Sequence, residues 1–165
     1  IEQYEQYRTT IVVPGGGLFA DQVRLMQEQW QFDDRTAHQM AILSMQQMAL
    51  AFKALKPKFK LIDSVDELRN PNQQTGISIW SPTLHELDQN GIPSSWEMTS
   101  DSLSAWLAKT LAARELIVVK TVKIEPNFDV LKLVQQQIVD ALFYNYTKHA
   151  SFKLSIINAE KFISS

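Results

Sequence analysis

The chain has 165 residues, 45% of them hydrophobic and 21% charged, with a formal net charge of −2. That is enough chain for one domain with a substantial core, and it lacks the clustered Lys and Arg that nucleic acid or an anionic membrane surface calls for. The absence of cysteine removes disulfides, thiolate metal sites and a cysteine nucleophile, and suits a cytoplasmic location. His38, His85 and His149 are spaced too widely to read as a local metal motif. No run of 18 apolar residues and no basic-then-apolar leader is visible, so neither a transmembrane helix nor a signal peptide is expected; the weak charge makes a small molecule the expected partner.

In chain order, "TTIVV" at 9–13 reads as a buried parallel strand closed by Pro14 and three glycines. Phe19, Val23, Met26 and Trp30 then recur at helical spacing. A second helix opens at Asp33 or Asp34 as N-cap and runs through "TAHQMAILSMQQMALAFKAL", rich in good helix formers. "KFKLI" reads as a strand, "SVDELRN" as a short helix opened by Ser64, "GISIWSP" as a strand closed by Pro82, and "QNGIPSSW" as loop. Behind Ser and Asp caps, "SDSLSAWLAKTLAA" puts Leu103, Trp106, Leu107 and Leu111 on one helical face, and "ELIVVKTV" follows as a strongly buried strand. "VQQQIVDALFYNYTKHA" reads as a helix, "FKLSIIN" as a strand and "AEKFI" as a terminal helical turn. Alternating strands and helices predict an α/β fold with a mainly parallel sheet covered on both faces.

Two segments carry candidate chemistry, since ligands of parallel sheets bind beyond the carboxyl ends of the strands. Residues 14–17 join a strand directly to a helix, so free N–H groups and the positive helix end converge where an anion would sit. The same glycines would equally serve a turn that only lets the helix pack closely, and the segment is neither a P-loop nor a dinucleotide fingerprint. The second segment is "SSWEMTSDSLSAWLA" at 94–108, where Thr99, Ser100, Asp101 and Ser102 precede an apolar helix. These groups could be simple caps. Alternatively, a buried Asp could orient a Lys or hold Mg²⁺ while hydroxyls donate to phosphate oxygens.

Together, "VVPGGGLFADQVR", "AHQMAILSMQQMA" and "SSWEMTSDSLSAWLAKTLAARELIVVK" resemble the amino acid kinase family. Within that superfamily of acetylglutamate, aspartate, uridylate and isopentenyl phosphate kinases, they are most similar to the small kinases of methanofuran biosynthesis. The resemblance covers residues 9–120. It implies a three-layer αβα sandwich and ATP- and Mg²⁺-dependent transfer of a phosphoryl group onto a small phosphate monoester, a furan-type precursor of a one-carbon carrier. It also implies that Gly15, Gly16 and Gly17 form a glycine loop facing the acceptor, that Asp101 is the aspartate that positions catalytic lysines, and that Thr99, Ser100 and Ser102 line the acceptor pocket. Trp96 would close that pocket or anchor its loop, and His38 would be a satisfied helix histidine more readily than a base.

Two departures from the family's pattern stand out. Its members open with a strand ending K-x-G-G-S that contacts ATP phosphates, and nothing before Ile1 supplies it; "IEQYEQY" reads as the end of the helix that follows that strand. The expected domain, 1–165, is thus a single one lacking its first strand, with roughly 25 to 35 residues preceding it. Second, Lys120 and Lys123 stand in "VVKTVKIEPNFD" where a T-D-V-x-G-like turn leads into the nucleotide site, so no cofactor-binding residue is assigned. A non-catalytic binding or regulatory module on the same scaffold is the competing reading. The Met- and Gln-rich "MAILSMQQMALAF" suits core or a contact in a homo-oligomer.

Overall fold

The computed structural model describes residues 9–70, 76–125 and 127–160. The chain divides into two compact units, Ile1–Trp96 and Glu97–Ser165. In the first, β1 (Thr9–Val12) leads through the glycine loop into α1 (Gly17–Trp30) and α2 (Asp34–Leu55). There follow β2 (Lys60–Ile62), α3 (Val65–Arg69), β3 (Gly76–Trp80) and α4 (Leu84–Gln89). The strands pair in parallel in the order β1-β3-β2, with Val12 opposite Ile79 and Ile62 opposite Trp80. β3 is central, and Ile77, Ser78, Ile79 and Trp80 are all buried, as a strand covered on both faces requires. Ala49 of α2 meets Phe59, Ile77 and Ile79, with Val12 and Phe52 packed against them.

Local chemistry sets the helix ends. α1 stops at Gln31, which takes a left-handed φ of 54°, and α2 restarts two residues later at Asp33. Its carboxylate accepts from the Thr36 N–H at 2.8 Å and the Thr36 hydroxyl at 2.9 Å. At the far end of α2, the Lys53 ammonium donates to the carbonyls of Pro57 and Phe59 at 2.7 and 2.6 Å, where a cation suits the helix dipole. Of the apolar positions at helical spacing on α1, Val23 is buried, whereas Phe19 and Trp30 are 44% and 65% exposed.

The second unit contains α5 (Ser100–Thr110), β4 (Glu115–Lys120), α6 (Val130–Gln135), α7 (Phe143–Thr147) and β5 (Lys153–Asn158). β4 and β5 are parallel, paired from Glu115 opposite Lys153 to Lys120 opposite Asn158. Ala105 and Ala108 of α5 pack with Leu116, Val118, Val139, Phe143 and Ile156 in one core.

Three expectations are corrected. β4 is not buried throughout: Leu116 and Val118 point into the core, but Val119 on the other face is 42% exposed, the two-residue alternation of a strand covered on one side. The segment from Val134 to Ala150 is not one helix: α6 ends at Gln135, Gln137 takes φ 56°, and α7 starts only at Phe143. α4 was not anticipated in "TLHELDQ", although Thr83 caps it by accepting from the Glu86 N–H at 3.3 Å. "IEQYEQY" and all but the first two residues of "AEKFI" lie outside the described residues.

Candidate functional site

The polar block expected at residues 99–102 forms the first turn of α5, with Thr99 in the N-cap position. An α-helix start leaves N–H groups without intrahelical partners, and here a carboxylate from a distant part of the same unit supplies them. Asp140 Oδ2 accepts from the Thr99 N–H at 2.9 Å, the Thr99 hydroxyl at 2.8 Å and the Ser102 N–H at 3.0 Å. Its Oδ1 accepts from the Ser102 hydroxyl. The cap is therefore Asp140, not the Ser and Asp of the helix itself, and the positive end of α5 is already matched by an internal anion.

That leaves Asp101 for another task. Its Oδ2 accepts from the Lys120 ammonium at the end of β4, at 2.6 Å, with 13% of the Asp101 side chain and 20% of the Lys120 side chain exposed. Burial pushes the Asp101 carboxyl above the usual carboxylate range, Lys120 opposes that shift, and the nearby charge of Asp140 adds to it. Two carboxylates and one ammonium thus meet around one helical turn. Ser102 is fully buried and, like Thr99, spends its hydroxyl proton on Asp140. Half-buried Ser100 makes no such bond among those of the described residues.

In the other unit, Gly16 takes the N-cap position of α1 with no side-chain cap, and Gly17 has φ 53°. A Cβ at Gly16 would lie 2.5 Å from the Ala20 Cβ and 3.2 Å from the Ser44 Cβ. Gly16 therefore permits α1 and α2 to approach closely, while Gly15 and Gly17 are exposed. A side chain at Gly17 would meet the Met48 sulfur at 3.2 Å. Trp96 anchors its loop: the indole N–H donates to Gln27 Oε1 at 2.7 Å and the Arg24 guanidinium lies 3.9 Å from the ring centre. His38 is 2% exposed, and its Nδ1 sits 3.1 Å from the Ser95 carbonyl, so the ring is hydrogen-bonded within the fold.

Sequence reasoning missed Asp140 and did not pair Lys120 with Asp101. The signal for Lys120 was its place at the carboxyl end of a strand; for Asp140, an isolated acid in the apolar run "QIVDALF". Among the described residues no group of three His, Cys, Asp or Glu could hold a metal ion, and no helix is long and apolar enough to cross a membrane.

No family model matches the chain. Over 114 residues it is 29% identical to [5-(aminomethyl)furan-3-yl]methyl phosphate kinase of Methanocaldococcus jannaschii, covering 69% of this chain and 52% of that protein. The chain thus spans about half the length of the relative it matches. In structure it is similar to uridylate kinase from Archaeoglobus fulgidus, with a TM-score of 0.74 and 16% identity over 98% of this chain and 82% of that one. The α/β architecture with parallel sheets is the amino acid kinase fold, and the resemblance read from the sequence holds in both comparisons.

Proposed function

We propose that the chain is a single amino-acid-kinase-like domain of a small-molecule kinase that adds a phosphoryl group to a phosphate monoester, a furan-type precursor of a one-carbon carrier. The observation that carries this reading is the pair that Asp101 on the first turn of α5 makes with Lys120 at the end of β4. Phosphoryl transfer is catalysed chiefly by positioning and by neutralising charge on the moving group. A lysine whose ammonium is held at 2.6 Å by a largely buried carboxylate suits that task, because it is charged, fixed in place, and keeps two further N–H donors. Asp101 orients it, and Ser100 is the hydroxyl of this turn that remains for an acceptor. Within the first unit, Gly15, Gly16 and Gly17 stand at the uncapped start of α1, where backbone N–H groups suit an anion in their own right.

ATP is the phosphoryl donor in this reading, and Mg²⁺ neutralises its phosphates. The residues present fit such an ion only as one carried by the nucleotide, because no three potential ligands converge among the described residues and Mg²⁺ commonly keeps few protein ligands. The relative's named substrate, an aminomethylfuran methyl phosphate, is the preferred acceptor. The protein is cytoplasmic and works without nucleic acid, and the uncharged, partly exposed face of α2 with Leu43 and Leu50 is consistent with a homo-oligomer.

The test is to incubate the protein with ATP, Mg²⁺ and either the furan phosphate or UMP. Diphosphate formed faster from the furan phosphate supports the reading. Turnover of UMP alone would replace the acceptor, and no turnover of either would leave the non-catalytic binding module.

A further inference from the structure

We propose that Asp140 is a positioning residue for this reaction: it clamps the first turn of α5 so that Asp101 is aimed at Lys120. The inference rests on the kinase reading and concerns a residue outside the block that suggested it. Asp140 belongs to the non-helical stretch between α6 and α7, flanked by Val139 at 3% exposure and Phe143 at 0%, both sunk in the core of its unit. Its backbone cannot shift without unpacking that core. From this fixed point it receives four hydrogen bonds from Thr99 and Ser102, and the Leu142 N–H adds a bond to the Glu97 carbonyl at 3.0 Å.

Asp101 lies between the two clamped residues, so its Cα is held from both sides. Lys120 is carried by a different element, β4. A turn of α5 that moved Asp101 by an ångström would stretch the 2.6 Å contact beyond a charge-assisted hydrogen bond. Both Asp140 oxygens are taken by internal donors, so Asp140 acts through Asp101 and does not itself touch substrate.

A mere helix cap would lower stability and nothing else, and the experiment separates the two. In Asp140→Asn the amide cannot accept all four donors. Acetic anhydride labelling of the folded protein, read by mass spectrometry, should modify Lys120 several-fold faster relative to exposed Lys109 than in wild type. The kcat for the furan phosphate should fall about 10- to 100-fold, with KM within about twofold. The loss should not add to that of Asp101→Asn in the double variant. If circular dichroism shows that Asp140→Asn does not fold, Ser102→Ala, which keeps three of the four donors, should show the same labelling change in weaker form. Labelling of Lys120 at the wild-type rate in a folded variant, or fully additive losses in kcat, would overturn the proposal. A wild-type protein that transfers no phosphoryl group would instead sink the kinase reading, and the labelling would still report whether Asp140 sets the pair.

Discussion

Asp101 carries a charge that its surroundings partly resist. Because burial raises its carboxyl pKa against the pull of Lys120, the folded state holds the proton more tightly than the unfolded chain. The ionised form therefore costs stability that appears as pH rises through the window above the ordinary carboxylate value and persists at neutral pH. Asp101→Asn removes that cost while leaving Lys120 without its anion, and it does not touch the cap, which is Asp140. We expect a melting temperature near wild type and a kcat reduced roughly 100-fold or more; wild-type turnover would remove Asp101 from catalysis. Gly16 is set differently, since its missing side chain is filled by Ala20 and Ser44. Gly16→Ala should destabilise the protein by about 1 to 3 kcal/mol, read by urea denaturation, so loss of phosphate binding in larger variants must be measured on folded protein. His38 has its pKa lowered by burial, against the opposing pull of the Ser95 carbonyl and Asp88. The unfolded chain then takes up the proton first, so the stability His38 supports is complete above about pH 6.5 and is lost as pH falls below it. Denaturation midpoints from pH 7.5 to 5 should fall less steeply in His38→Gln than in wild type; parallel slopes would refute the assignment.

At the scale of elements, the break between α6 and α7 matters most, because it is where Asp140 stands. Gln137 holds a left-handed φ of 56° there, a conformation that costs L-residues roughly 1 to 2 kcal/mol. Gln137→Gly should raise stability by up to about 1 kcal/mol in thermal unfolding, the relief of strain exceeding the entropy that glycine adds to the unfolded chain. A loss of stability would mean that the Gln137 side chain contributes more than its backbone costs. The five strands, α2 and the strand–glycine–helix turn were legible because each is written in a local period or a local punctuation mark. The α6–α7 break was not, since "VQQQIVDALFYNYTKHA" has the composition of a helix and the competing demand is tertiary: Val139 and Phe143 both enter the core, and the chain between them turns to allow it. The cap of α5 was misassigned for a related reason. Thr99, Ser100, Asp101 and Ser102 are all residues that cap helices, and local pattern offers no sign that an acid 38 residues beyond Ser102 takes their place.

At the scale of the whole chain, each compact unit is one continuous stretch, and among the described residues β1-β3-β2 pair in one and β4-β5 in the other. That continuity is why the α/β class could be read from element order alone. With no cysteine in the chain, all of its sulfur resides in five methionines, of which Met45 and Met98 are shut in the core. Met48, half buried like Met26 and Met40, has its thioether against Gly17 of the glycine loop. Peroxide would turn that soft, apolar neighbour into a polar sulfoxide, placing an oxygen acceptor beside backbone N–H groups that would otherwise be open to an anion. Mild peroxide treatment should therefore weaken binding of a phosphate monoester, methionine sulfoxide reductase should restore it, and Met48→Leu should be insensitive to both. Equal sensitivity of Met48→Leu and wild type would trace the damage to another sulfur.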